Sequence, residues 1–139
     1  MASTAIQLAD EIAAYLNGQT IGQDTLACER KLIPDRDLAS VRSLRAIVVP
    51  HSFESRIAAR GMQKERMVRI DVGVMKRAPE SELDGLLGLT QQIGALLEGH
   101  RFIGGICTEV AYAPLYDVEI WLQQHSFFAV IVAKVKVFA

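Results

Sequence analysis

A chain of 139 residues, 50% apolar and 22% charged, is sized for one domain, 1–139, whose core needs no metal or disulfide staple. Lys and Arg number 15 against 16 Asp and Glu, a net charge of −1, which argues against a general nucleic-acid binder. No window reaches the ~18 uncharged apolar residues of a membrane span, and MASTAIQLADEIAAYL lacks the basic start of a signal peptide, so a protein soluble in the cytosol is expected.

Residues 3–17 predict an amphipathic helix. Ser3 or Thr4 can cap it, and Ile6, Ala9, Ile12, Ala13 and Leu16 recur at helical spacing. Asn17-Gly18 stops it, because both residues tolerate the left-handed conformation. Residues 19–24 read as a polar loop, and 25–33 as a strand ending at Pro34. A turn follows, then a β-branched strand from Leu44 to Val49 that ends at Pro50. The polar stretch HSFESRIAARGMQKER comes next, with a bend expected at Gly61. Met67 to Met75 is the clearest strand in the chain. Val68, Ile70, Val72 and Val74 point one way and Arg69, Asp71 and Gly73 the other, the period of two of a half-buried antiparallel strand.

Residues 81–98 predict a second helix, with Ser81 as N-cap and Asp84 completing a weak capping box. Leu83, Leu86, Leu87, Ile93, Leu96 and Leu97 form its buried stripe. Gly85, Gly88 and Gly94 are expected to be close-approach points against a sheet. Gly99 ends the helix. Residues 105–115 read as a strand and Tyr116 to Leu122 as an acidic turn or short helix. A long strand from Phe127 to Phe138 closes the chain. Strands come in runs rather than alternating with helices, which disfavours a doubly wound parallel sheet. The expected fold class is α+β: a single mostly antiparallel sheet with two helices packed on one face.

The residue types that do chemistry are scattered. Cys28 and Cys107 lie 79 positions apart without a CxxC pair, so they read as buried thiols. A Cys107–His125 dyad backed by Asp117 or Glu119 lacks any local nucleophile pattern. His51, His100 and His125 are isolated, and the first two follow turn signals, where histidines are usually just solvated. The glycines of EGHRFIGGI precede a strand rather than a helix, so they do not make a phosphate loop. No catalytic residue, cofactor or metal site is expected, and the chain is not read as an enzyme.

Charge order says more than any motif. Residues 56–77 carry seven basic and two acidic side chains, and residues 78–125 carry one basic and seven acidic. Two readings remain open. The two segments are solvated surfaces, or the basic segment of one protomer meets the acidic face of another in a head-to-tail contact that can close into a ring. No aromatic residue within 56–77 offers a stacking platform for DNA.

Several phrases in this order resemble the small phage and prophage tail terminator (tail completion) proteins. They are IQLADEIAAYLNG, LIPDRDLASVRSLRAIVVP, RMVRIDVGVMKR followed by ESELDGLLGLTQQIGALLEGHR, and AYAPLYD ahead of a strongly β C-terminal stretch. The resemblance covers about residues 5–138. It implies a non-enzymatic virion protein that forms a homo-oligomeric ring, often a hexamer. Such a ring caps the tail tube and meets the head connector, and it assembles in the bacterial host cytoplasm. The family offers no catalytic residues to carry over. Another head–tail connector or adaptor module is the competing reading, and a small enzyme comes third.

Residues 51–66 exceed the ~2–5 residues that a hairpin loop needs, so they are expected to be an extended arm. The arm should be loosely ordered in a free subunit and ordered on ring formation. Arg56, Arg60, Lys64 and Arg66 would face Glu80, Glu82, Asp117 and Glu119 of a neighbour. Exposed ion pairs are each worth only ~0–1 kcal/mol, so Phe53, Ile57 and Met62 would supply most of the affinity.

Overall fold

The computed structural model describes residues 3–22, 24–32, 43–57 and 64–138, with backbone alone at 56, 57 and 64. The first helix, α1 (Thr4–Leu16), starts where the Ser3 hydroxyl accepts a hydrogen bond from the Ile6 amide at 3.2 Å. It ends at Leu16; Asn17 caps it in an extended conformation, and of the Asn-Gly pair only Gly18, with φ 85°, takes the left-handed value. Leu8, Ile12 and Leu16 are fully buried along one face. Each such side chain contributes about 1.5–3 kcal/mol of burial.

The expected loop at 19–24 is a small antiparallel ribbon of β1 (Thr20–Ile21) and β2 (Asp24–Thr25). The remaining strands form one five-stranded sheet: β3 (Ala27–Arg30), β4 (Arg45–Ile57), β5 (Lys64–Arg77), β6 (Gly105–Tyr112) and β7 (Ser126–Val137). Its spatial order is β3-β4-β5-β7-β6. The β4–β5, β5–β7 and β7–β6 pairs are antiparallel, but β3 lies parallel to β4. The expectation of a single mostly antiparallel sheet is therefore corrected: the sheet is mixed, and a separate two-stranded ribbon accompanies it. The overall class is α+β. The reason is the long connection between β3 and β4, which lets the chain return to its starting end before pairing.

Val68, Ile70, Val72 and Val74 share one core with α1 and with α2 (Leu83–Leu97), so the central-strand reading is correct. A third helix, α3 (Val118–Gln124), sits apart from these two. Its Ile120 packs with Ile47, Val49, Met75 and Phe128 in a separate cluster, on the other face of the sheet. The two-helix expectation holds for the first face and misses this second layer.

Two boundaries also differ. Helix α2 has no Ser81 cap, because a 3-10 turn at Glu80–Glu82 runs straight into it and Glu82 stands at the cap position without a side-chain bond. Gly94 is a close-approach point, since a Cβ there would overlap the Tyr112 hydroxyl, whereas Gly85 and Gly88 face open space. Strand β4 does not end at Pro50. It continues to Ile57 through a register shift between Pro50 and Ser52. A bulge accommodates proline, which cannot donate to a regular ladder.

Among the described residues no helix is long and apolar enough to cross a membrane.

Candidate assembly interface

The described residues of the polar stretch, 51–57 and 64–66, belong to the ends of β4 and β5. Pairing continues from Ser52↔Arg69 through Phe53↔Val68 to Ile57↔Lys64. On the other side of β5, the β7 ladder stops at Met67↔Lys136. On the outer side of β4, the β3 ladder stops at Arg30↔Val48. Residues 53–57 and 64–66 thus form a two-stranded arm beyond the five-stranded sheet. Of the stretch expected to be a loosely ordered arm, residues 52–57 and 64–66 are paired strand. Ladder bonds order it, while Glu54 and Ser55 stay exposed and Glu65 and Arg66 are only half-buried.

Phe53 lies on the helix-bearing face of the sheet, opposite Val68, and is 46% exposed. Arg66 is half-buried opposite Ser55, while Arg56 pairs in register with Glu65 and Ile57 with Lys64. Arg60, Met62 and the bend at Gly61 lie outside the described residues. So do Ile33 and the turn proposed after Pro34; the expected 25–33 strand is broken, with Thr25 in β2, Ala27–Arg30 in β3, and Lys31 and Leu32 outside any strand.

The acidic candidates sit at the opposite pole. Glu80 and Glu82 are exposed on the 3-10 turn just past the Arg77 end of β5. Asp117 caps α3, its carboxylate accepting a hydrogen bond from the Ile120 amide at 3.0 Å, and Glu119 is exposed in the first helical turn. The Ala78 amide donates to the His125 carbonyl at 3.2 Å, which ties the 3-10 turn to the C-terminal end of α3. At ~3.3 Å per residue, the 11 steps of β5 from Arg66 to Arg77 separate the arm from this pole by about 36 Å. Among the described residues Arg66 does not meet these acidic groups.

Sequence reasoning missed the apolar part of the acidic pole. Leu115, Val118 and Leu122 are 47%, 49% and 62% exposed. Their spacing of three and four is the pattern expected of a buried stripe, so only the structure reveals that this one faces outward. At the arm pole, Ile103 is 92% exposed, and the Arg101 guanidinium lies 4.7 Å from the centre of the partly exposed Phe138 ring.

A groove of about 840 Å³ on the sheet face away from α1 and α2 is lined by His51, Glu54, Met67, Arg69, Glu109 and Lys134. Ion pairs border it: Arg69 Nε donates to Asp71 at 3.1 Å and Lys134 meets Glu109 at 3.7 Å, while His51 Nδ1 lies 3.3 Å from Asp71. A second depression of about 540 Å³ is lined by Arg77, Ala78, Pro79 and His125. No group of three or more His, Cys, Asp or Glu residues arranged to hold a metal ion occurs among the described residues.

Cys107 is fully buried opposite Val135, whereas His125 precedes the first residue of β7, so about 33 Å of strand separates the two. The structure does not bring the Cys107–His125 pair together. Burial pushes the Cys107 thiol up to about 11 and the Cys28 thiol up to about 12. Both shifts disfavour the reactive thiolate. His100 is not simply solvated as its turn position suggests: it stacks on Tyr15 at 3.9 Å and meets Phe102 edge-on.

No protein-family model matches the chain, and no curated protein matches it. Among solved structures it is similar to a chain in the virion of a native gene transfer agent particle. The two share 13% identity over 78% of this chain and 77% of that one, with a TM-score of 0.44. It is also similar to the sheath/tube terminator, in the extended state, of PVC, an extracellular contractile injection system. Identity there is 10%, the TM-score is 0.37, and all of this chain spans 58% of that one. Both TM-scores are too low for either likeness to bear on what this chain does.

Proposed function

We propose that the chain is a structural, non-enzymatic subunit of a phage-type tail, assembling head-to-tail into a homo-oligomeric ring. In this reading the ring caps the tail tube and presents a surface to the head connector, and the subunit resides in the tail or neck of the virion. The observation that carries the proposal is the polarity of the protomer. A projecting two-stranded arm with a basic sequence occupies one pole, and exposed carboxylates occupy the other. A surface and its complement on opposite poles of one chain favour heterologous contacts, which close into rings when the rotation permits. The sequence resemblance to tail terminators agrees with this reading.

The test is the mass of the purified chain in solution, with electron microscopy of any oligomer. The intact chain should form concentration-dependent rings. Deleting residues 54–64 should leave a folded monomer, because the core lies elsewhere. High salt should weaken the rings only modestly, since exposed ion pairs contribute little. An intact chain that stays monomeric at all concentrations, or a deletion variant that still forms rings, refutes the proposal.

A further inference from the structure

We infer that the exposed stripe Leu115, Val118 and Leu122 on and before α3 is the seat for the arm of a second copy of this chain. The inference rests on the assembly reading above and names the docking surface within it.

Helix α3 has two apolar sides. One packs through Ile120 against Ile47, Met75 and Phe128. The other leaves Val118 and Leu122 49% and 62% exposed, and Leu115, just before the helix, is 47% exposed. A cluster of that kind on a short helix marks an interaction surface rather than a gap in the core.

Charge identifies the occupant. The stripe is bordered by Asp117 and Glu119, and the hydrogen bond from Ala78 to His125 brings the turn bearing Glu80 and Glu82 to the end of the same helix. The fitting partner is therefore basic with an apolar anchor. The arm has that chemistry: its sequence from 53 to 66 carries Arg56, Arg60, Lys64 and Arg66 against Glu54 and Glu65, with Phe53 half-exposed at its base. The arm cannot reach the stripe of its own chain, because about 36 Å of β5, from Arg66 to Arg77, lies between them. The occupant is a neighbour's arm, so every copy both gives an arm and receives one.

The experiment uses the full chain and two variants. Leu122→Glu places a charge at the most exposed stripe position, so it should fold with an unchanged melting temperature and circular dichroism spectrum. Oligomer formation, read by analytical ultracentrifugation, should weaken at least tenfold. The arm deletion of residues 54–64 should also be monomeric. Mixing the two monomers should give a one-to-one heterodimer and nothing larger, since only one intact arm and one intact stripe can meet. A Leu122→Glu chain that oligomerises like the intact chain, or a mixture that stays monomeric, overturns the seat; the assembly reading stands if the intact chain still forms rings. An intact chain that never oligomerises overturns both.

Discussion

Residues 67–75 and residues 64–66 belong to the same strand and are held in different ways. The first group lies between β4 and β7 with helices above, and its inward side chains Val68, Ile70, Val72 and Val74 are fully buried. The second has β4 as its ladder partner, and neither Glu65 nor Arg66 is fully buried. Hydrophobic burial fixes the first; backbone hydrogen bonds anchored to an existing sheet extend the second. Two strands alone are marginal in water, but a ribbon continuous with a five-stranded sheet begins already nucleated. Under the proposed assembly, stability and association are carried by different stretches of one strand and can be perturbed separately.

The sharpest break of that contrast is Ile70→Ala. It should cost about 2–5 kcal/mol, read as a lowered denaturation midpoint. An unchanged midpoint would mean that residues 67–75 are no more structural than the arm. Gly94→Ala comes next. Its new methyl would press on the Tyr112 ring, whose Cζ lies 2.8 Å from the Cβ position. The expected loss is about 1–3 kcal/mol, and Tyr112→Ala in the same chain should recover part of it.

Alkaline pH should also act on the covered region. The folded-state pKa of Cys107 is raised from 9.0 to about 11 and that of Cys28 from 9.0 to about 12. The folded chain thus holds these protons more tightly, and the resulting stability is complete below pH 9. It is lost as pH rises through 11 and toward 12. Melting temperatures measured from pH 8 to 11 should fall, and a Cys28→Ala, Cys107→Ala chain should fall less. That double variant should still assemble, as should His125→Ala. Loss of assembly in a folded His125→Ala chain would give the histidine a role beyond ending α3. The smallest change in stability belongs to the arm. Phe53→Ala should cost the monomer less than about 1 kcal/mol while measurably weakening oligomers. A large loss of monomer stability would place Phe53 in the core instead.

The parts legible in sequence are those where burial writes a period. Val68 to Val74 alternate because one side meets helices, and Leu8, Ile12 and Leu16 recur because one stripe meets the sheet. The arm carries no such mark. Ser52, Glu54 and Ser55 are polar on both faces, so only surplus length hinted at something longer than a turn. The parallel pairing of β3 with β4 was illegible for another reason: strand direction depends on where a connection leads, and no local residue pattern encodes that. Of the candidate interface, charge order located the two poles. The stripe on α3 was hidden because an exposed apolar residue and a buried one look alike in a sequence.

The extra residue between Pro50 and Ser52 has a geometric consequence. Before it, Pro50 lies opposite Ile70; after it, Ser52 lies opposite Arg69, so His51 is the surplus residue. Removing His51 would leave every later pairing of the arm intact and change only the bend and twist with which the arm departs. One residue thus works as an aiming screw for an element about as long as a helical turn is wide. In a closed ring each subunit repeats that angle, so a small error in aim accumulates around the circuit. A chain lacking His51 should keep its contacts and alter their sum, turning a planar ring toward a different copy number or an open spiral.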